Sequence, residues 1–310
     1  MPELNMLIGL PGSGKSYYAN ALKASGYVVH SSDAIREELF GDESIQGKPD
    51  QVFSLLHKRV INDLKAGKNV VYDATNINSK LRMQTLRRLN NIEGLVKSCT
   101  IIARPFEECV KMDRERGRTV GEDVLKKMIS RWNTPSYGEG WDNIYIYYPN
   151  ELDMNYYGSF KGAYVPYLDY DQNNSHHKLS LGTHIKSTAT YVSQHSPILQ
   201  DVVEAAYLHD IGKPYTHSID EKGVSHYFQH ANVGAYNTLF YGDVENPINV
   251  SLLVNYHMAP FDWNEKNFEK MEKKYVELLG EELYQGLLQL HDADILCSEV
   301  EIKEEDLMLV

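Results

Sequence analysis

The sequence of 310 residues is poor in the features that mark secreted and membrane proteins. It has only three cysteines (Cys99, Cys109 and Cys297), and their odd number and wide spacing argue against a disulfide scaffold. No apolar run approaches the ~18 residues that a membrane-spanning helix needs. The opening stretch MPELNMLIGLPG lacks the basic segment and long apolar core of a secretory signal. We therefore expect a protein of a reducing, cytoplasmic compartment that has no membrane segment.

Positive charge is scarce in the second half of the chain. Residues 151–310 contain 10 Lys and Arg against 25 Asp and Glu, whereas residues 1–150 contain 21 against 18. The net charges are therefore −15 and +3, and ten of the 12 histidines also lie beyond residue 175. The acidic half is a poor candidate for binding a long nucleic-acid backbone. We expect a domain at 1–150, a linker at 151–175 and a chemically different domain at 176–310.

A glycine-rich loop follows the first apolar segment. The octet GLPGSGKS, ending at Ser16, matches the P-loop pattern G-x-x-x-x-G-K-[ST] between a predicted strand and a predicted helix. Glycines let backbone amides face phosphate oxygens, and the helix start adds partial positive charge. We predict a site for ATP or another NTP, with Lys15 on the β- and γ-phosphates and Ser16 on Mg²⁺. The other candidate phosphate-binding residues of this loop are Gly9, Gly12, Ser13 and Gly14.

Strands and helices then alternate, which predicts an α/β domain built on a parallel sheet. Asp33 and Arg36 follow the second predicted strand, and Asp73 ends the third in the stretch VVYDATN. The carboxyl ends of parallel strands line the ligand crevice. There, a carboxylate can accept a proton from a hydroxyl group and an arginine can bind phosphate with two hydrogen bonds. A helix-capping role for Ser32 or Asp33 remains an alternative on spacing alone.

An arginine run, RERGR, follows the fourth predicted strand and contains Arg114, Arg116 and Arg118. Such a run is either a solvated helix face or, in a P-loop protein, a lid that closes over the NTP. A lid would stabilise charge on the transferred phosphoryl group. We favour the lid.

Several apolar helical segments of the second half each carry a histidine or an aspartate. His184 lies on one stripe with Leu181 and Tyr191, and Asp294 interrupts another apolar stripe. Hydrogen-bonded core pairs could account for one or two of these residues. A shared metal site accounts for all of them, because imidazole and carboxylate ligands on a helical bundle suit divalent transition metals. The candidate ligands are His184, His209, Asp210, His230, His257 and Asp294.

The motifs GLPGSGKS, SSDAIR, YDATN and RERGR, the last followed by V-x-x-D-V-L, resemble the kinase domain of the polynucleotide 5′-hydroxyl kinase family over about residues 1–145. The resemblance implies that Asp33 is the general base on the 5′-hydroxyl, that Arg36 contacts the acceptor phosphate and that Asp73 positions the acceptor. It also implies a lid arginine on the ATP phosphates. Arg116 aligns best with that arginine, and Arg114 and Arg118 are the alternatives. Related kinases with the same motifs act on nucleosides, small metabolites or modified DNA bases.

The ordered set H…HD…H…H…D, in the strings LGTH, YLHDIGK, QHANVGA and NYHM, resembles the HD superfamily of metal-dependent phosphohydrolases over about residues 176–300. The resemblance implies that His184, His209, Asp210 and Asp294 ligate one ion. His230 and His257 correspond to the extra ligands of two-metal members, and Lys213 corresponds to a phosphate-contacting lysine. Ligand type leaves Mn²⁺, Ni²⁺, Fe²⁺ and Mg²⁺ as candidate metals.

The two resemblances together predict an N-terminal α/β P-loop kinase domain and a C-terminal all-α HD bundle. They imply a bifunctional enzyme that phosphorylates 5′-hydroxyl ends and removes 3′-phosphate or 2′,3′-cyclic phosphate. Its expected substrates are nucleic-acid ends, RNA in preference to DNA, and a separate ligase is a candidate partner. Two alternatives remain open. One is a nucleoside or nucleotide kinase fused to a nucleotide phosphohydrolase, and the other is a nucleotide-switched regulator.

Overall fold

The computed structural model describes residues 1–45, 47–115, 119–149, 155–174, 178–195 and 197–302. Its internal contacts divide the chain into two compact units. The first unit comprises Met1–Met128 with Glu139–Leu152, and the second comprises Ile129–Gly138 with Asp153–Val310. Within the residues that the structure describes, no helix is both long and apolar enough to cross a membrane.

The first unit is an α/β domain in which strands and helices alternate along the chain. Its elements are β1 (Glu3–Ile8), α1 (Lys15–Ala24), β2 (Val28–Ser31), α2 (Ser32–Phe40), α3 (Pro49–Lys65), β3 (Val70–Asp73), α4 (Ser79–Arg87), β4 (Val96–Ile102), α5 (Phe106–Arg114), α6 (Glu122–Ile129) and β5 (Asn143–Tyr147). The five strands form one parallel sheet in the order β2-β3-β1-β4-β5. The predicted parallel α/β domain is therefore confirmed.

The central strand of this sheet is β1, which pairs with β3 on one side and β4 on the other. All four residues of β3 are buried, as are most residues of β1, which is typical of central strands in a parallel sheet. Pairing joins Leu7 to Asp73 and Ser31 to Asp73, so the ends of β1, β2 and β3 are adjacent. This register brings the loops after the three strands to the same edge of the sheet.

The second unit is almost entirely helical. Its elements are α7 (Leu181–Gln194), α8 (Gln200–Leu208), α9 (Lys213–Thr216), β6 (Ser218–Ile219), β7 (Ser225–His226), α10 (His230–Thr238), α11 (Pro247–Tyr256), α12 (Phe268–Leu279) and α13 (Glu281–Cys297). The two short strands form an antiparallel pair, and every other element of this list is a helix. The predicted helical architecture of this domain is confirmed, with the short strand pair as the exception to the all-α prediction.

Helix α8 lies at the centre of the bundle and contacts α7, α11 and α13. Its sequence has few polar positions, and even Asp201 and Glu204 are buried. Residues 155–174, which the sequence predicts as a linker, form short 3₁₀ turns that contact α7 and α8. Because α8 is covered on several sides, the His-Asp pair that follows it lies inside the bundle.

Candidate active sites

The glycine-rich loop connects the end of β1 to the start of α1. Gly12 and Gly14 have positive φ angles of 84° and 103°. A Cβ atom at Gly12 would collide with the backbone carbonyl of Cys109, so this position requires glycine for both torsion and space. Lys15 donates from Nζ to the carbonyl oxygens of Gly9 (3.0 Å) and Leu10 (2.8 Å), which holds the ammonium over the loop.

Asp33 and Arg36 lie on the first turns of α2, directly after β2. The helix is capped by Ser31, whose side chain accepts a hydrogen bond from the Asp33 amide at 3.3 Å. The capping alternative for Ser32 or Asp33 is therefore wrong, and the Asp33 carboxylate is not used as a cap. Arg36 Nη1 donates to Asp33 Oδ1 and lies 3.4 Å from Ser32 Oγ. The Asp33 side chain remains 56% exposed, so it can reach a substrate.

These side chains line one cavity of about 550 Å³ at the carboxyl edge of the sheet. That volume is within the usual range for small-molecule sites. The catalytic cavity, as we name it, contains the following candidate site residues: Lys15, Ser16, Asp33, Arg36 and Asp73. It therefore places phosphate-binding and proton-accepting groups against the same space.

Asp73 is the last residue of β3 and is buried. Burial raises the pKa of its carboxyl group above the ordinary value for aspartate, as does the nearby charge of Asp33, while Lys15 and a hydrogen bond from Ser31 oppose the shift. Asp73 therefore lies near both Lys15 of the phosphate loop and Asp33 of α2, and all three side chains line the same cavity.

The loop after Asp73 is held by contacts that were not predicted from the sequence. Asn76 has φ 49° and donates from its side-chain amide to the carbonyl of Leu7 at 2.7 Å. Arg82 donates to the carbonyl of Asn76 and forms an ion pair with Glu139 in which both side chains are fully buried. The ion pair joins residues 57 positions apart, so no local sequence pattern could have identified it.

Of the three arginines in the run RERGR, the structure describes only Arg114. Arg114 is 69% exposed and pairs with Glu122 at 2.8 Å, and it is not among the residues that line the catalytic cavity. Arg116 and Arg118 lie outside the described residues. Asp113 is buried and accepts hydrogen bonds from the amides of Val120 and Gly121, so its carboxylate ties the two ends of this segment together.

The histidines and aspartates of the second unit meet in one buried cluster. On one side, His184 Nε2 lies 3.1 Å from His209 Nε2, 3.1 Å from Asp294 Oδ1 and 3.3 Å from Asp210 Oδ2. On the other side, Asp210 Oδ1 lies 3.2 Å from His230 Nε2 and 3.8 Å from His257 Nε2. All six candidate ligands are therefore brought together, and Asp210 belongs to both sides.

The four imidazoles all present Nε2 to the centre of the cluster. Their Nδ1 atoms lie 2.8–3.0 Å from backbone carbonyl oxygens, which can only accept hydrogen bonds, so Nδ1 carries the proton. His184 bonds to the carbonyl of Cys297, and His209 bonds to that of Ala206. His230 bonds to the carbonyl of Tyr227, and His257 bonds to that of Val254. This orientation is the one that metal-binding histidines adopt.

Electrostatics also favour a cation in the cluster. Burial lowers the pKa of His209 and lowers that of His257 to about 3, so both rings stay neutral and can act as ligands. Burial alone would lower the pKa of His184, but hydrogen bonds to Asp210 and Asp294 raise it to about 9. The two carboxylates thus favour positive charge at this point.

Two groups of three residues have ligand atoms within 4.8 Å of one another. The first group is His184, His209 and Asp210, and the second is Asp210, His230 and His257. The residues fit a divalent metal centre.

Lys213 begins α9 and lies against this cluster. Its Nζ is 2.6 Å from Asp210 Oδ2 and donates to Gln172 Oε1 at 2.8 Å. Gln172 is buried, and its role was not predicted because it lies in the predicted linker. Gly212 has ordinary helical torsions, but a Cβ atom there would collide with the His230 carbonyl. Glycine is therefore needed for the close approach of α9 to α10.

Comparison with known families agrees with the two folds. Residues 4–135 match the AAA domain family, and residues 181–298 match the HD domain family. An AAA-type region that carries the P-loop is therefore followed by a region that matches the HD domain. Both predicted resemblances are confirmed at this level.

One curated relative is a protein of Autographa californica nuclear polyhedrosis virus that is named as a bifunctional polynucleotide kinase/RNA ligase. It is 35% identical over 92 residues, which cover 25% of this chain and 13% of the relative. Two solved structures of a Pnkp1/Rnl/Hen1 complex are also similar. One is 30% identical with a TM-score of 0.33, covering 36% of this chain and 38% of that one. The other is 25% identical with a TM-score of 0.39, covering 42% and 43%. The chain thus spans less than half the length of each of these proteins.

Proposed function

We propose that this protein repairs nucleic-acid ends by two separate reactions. The first unit transfers phosphate from ATP to a 5′-hydroxyl group. The second unit removes a 3′-phosphate or 2′,3′-cyclic phosphate with the help of one or two divalent metal ions. The observation that carries the proposal is the pair of sites itself: a cavity joining a P-loop to a carboxylate–arginine pair, and a buried His/Asp cluster beside a lysine.

The kinase reaction assigns a distinct task to each group of the catalytic cavity. Lys15 and the loop amides bind the β- and γ-phosphates of ATP, and Ser16 binds Mg²⁺. Asp33 accepts the proton of the attacking hydroxyl group, and Arg36 orients its carboxylate and contacts the phosphate of the acceptor. Asp73, held by the loop that Asn76 anchors, positions the acceptor between these groups.

The hydrolytic reaction uses the His/Asp cluster. Its histidines and aspartates would hold a divalent metal, which would activate a water molecule near neutral pH and neutralise charge on the phosphate. Mn²⁺, Ni²⁺, Fe²⁺ and Mg²⁺ are the candidate metals, with imidazole ligands favouring the first three. Lys213 binds a phosphate oxygen at the edge of the cluster, and Gln172 holds its ammonium group in place.

Nucleic-acid ends as the substrate explain why one chain would carry both an activity that adds phosphate and an activity that removes it. Adding and removing phosphate at the same atom would cancel, whereas acting on a 5′-hydroxyl and a 3′-phosphate prepares a broken strand for sealing. The name of the viral relative joins a polynucleotide kinase to an RNA ligase, which supports RNA as the substrate and a separate ligase as a partner here. The modest charge of residues 1–150 suits binding a strand end rather than coating a long tract.

Competition between two acceptors tests the substrate class. A short RNA with a 5′-hydroxyl and a nucleoside 3′-monophosphate are offered together with labelled ATP. We expect the label to enter the RNA at concentrations at which the mononucleotide is barely used. Preferential labelling of the mononucleotide would support a small-molecule kinase fused to a nucleotide phosphohydrolase instead.

A further inference from the structure

The first unit contains a second, larger cavity that none of the proposed catalytic groups occupies. It has a volume of about 710 Å³ and is lined by one face of α3 and one face of α4. Phe53, Ala74 and Thr75 line both this α3/α4 cavity and the catalytic cavity. The two spaces therefore adjoin at the carboxyl end of β3, next to Asp73. A ligand in the α3/α4 cavity can lie in direct continuity with a group held near Asp33.

The inner wall of the α3/α4 cavity is aromatic and ordered. Phe53 and His57 lie four residues apart on α3, with ring centroids 6.4 Å apart. Tyr72, on β3, is almost fully buried, and its ring centroid lies 5.8 Å from that of His57. His57 Nε2 is 3.2 Å from the Tyr72 hydroxyl and 3.3 Å from Thr85 Oγ1. Hydrogen bonds thus hold a preformed aromatic surface on which a flat ring can stack.

The outer wall carries the polar groups that a nucleotide needs. Gln84 offers a side-chain amide group for the edge of a base, and Asn78 offers its amide nitrogen while its oxygen caps α4. Leu81 adds an apolar side chain that is 60% exposed. Lys58 and Arg88 are exposed cations at the rim, against the single carboxylate of Asp50. Stacking surface, amides and net positive charge are the combination by which proteins hold single-stranded nucleotides.

We infer that the α3/α4 cavity binds the base of the 5′-terminal nucleotide of the acceptor strand, with Arg88 contacting a phosphate of that strand. The inference rests on the proposed kinase function, because it places the 5′-hydroxyl of the same nucleotide beside Asp33. A base stacked on Phe53 and His57 would orient the ribose toward Thr75 and Asp73. The cavity then selects strand ends that carry an intact first base.

An experiment that pairs cavity variants with modified substrates tests this inference. Gln84→Trp fills the cavity from an exposed position, and Lys80→Trp places the same ring on the same helix outside the cavity. Kinase rates are measured on a 5′-hydroxyl RNA and on the same RNA with an abasic 5′-terminal nucleotide. For the wild-type protein we expect the abasic end to raise KM by about tenfold or more.

Gln84→Trp should raise KM for intact RNA by a similar factor, lose the discrimination against the abasic end, and leave KM for ATP unchanged. Lys80→Trp should behave as wild type. Arg88→Ala should weaken RNA binding, whereas Arg87→Ala, an exposed neighbour outside the cavity, should not. Equal use of both RNAs by the wild type would overturn the inference and leave the kinase proposal standing. Absence of RNA phosphorylation altogether would overturn both.

Discussion

The Oδ1 atom of Asp210 lies 3.2 Å from Nε2 of His230, while Oδ2 of the same carboxylate faces His184 and His209. One side chain thus connects the two halves of the His/Asp cluster. A carboxylate that offers one oxygen to each side would supply a ligand atom to a metal held in either half. The consequences of losing Asp210 therefore differ from those of losing any single histidine.

Asp210→Ala should abolish binding at both halves of the cluster, because each half loses a ligand oxygen. His257→Ala should weaken only the half that contains His230. Equilibrium dialysis with Mn²⁺, with His195→Ala as an exposed histidine control, checks the stoichiometry. Circular dichroism confirms that each variant is folded. An Asp210→Ala protein that binds as much Mn²⁺ as wild type would contradict the role of Asp210 as a ligand in both halves.

Asp33→Asn should lower the kinase kcat by about 10²–10⁴-fold, the usual contribution of a general base. The amide keeps the hydrogen-bonding shape toward Arg36 but cannot accept the proton. Release of phosphate by the second unit should be unchanged. Glu38→Gln is a matched control, because Glu38 lies on the same helix and pairs only at the surface with Arg59. Normal phosphorylation by Asp33→Asn would rule out this residue as the base.

Arg82→Met should destabilise the protein by about 3–5 kcal/mol, because it leaves the carboxylate of Glu139 buried without its partner. Arg59→Met removes the exposed ion pair with Glu38 and should have a much smaller effect, because solvent screens exposed charges. Chemical denaturation of both variants measures the difference. Similar midpoints for the two variants would show that the buried pair does not support the fold.

His57 predicts a pH-dependent contribution to stability. Burial lowers its pKa to about 4, whereas an unfolded histidine titrates near 6.5. Between these values the unfolded chain binds the proton and the folded protein does not. The free energy of unfolding therefore decreases as the pH falls from about 6.5 toward 4. The His57→Gln variant should lose less stability over this window than wild type, as measured by urea denaturation at a series of pH values. Parallel curves for the two proteins would contradict the shift.

Local sequence patterns were sufficient to predict the strands β1 to β4, the phosphate loop and the residues at the strand ends, whereas β5 was not predicted. The reason is that each depends on neighbours in sequence: glycine spacing for the loop around Gly12, and an apolar run followed by a carboxylate for Asp73. The helical period also placed His184 and Asp294 on buried faces, as the structure shows.

Contacts between distant segments were not predictable in the same way. Arg82 and Glu139 belong to different elements, and only the folded sheet brings them together. Gln172 lies in a stretch with no clear period, yet its side chain holds Lys213. Likewise, the α3/α4 cavity forms from helix faces whose sequences read as ordinary amphipathic helices. Such features depend on packing geometry, which residue periodicity does not specify.

The most direct test of the central claim uses one short RNA that carries a 5′-hydroxyl and a 3′-phosphate. The protein is incubated with this RNA, ATP, Mg²⁺ and Mn²⁺, and both ends are read by mass spectrometry. We predict that the 5′ end gains a phosphate and the 3′ end loses one. Asp33→Asn should block only the first change, and Asp210→Ala only the second. An RNA that keeps both original ends, while ATP or free nucleotides are consumed, would contradict repair of nucleic-acid ends.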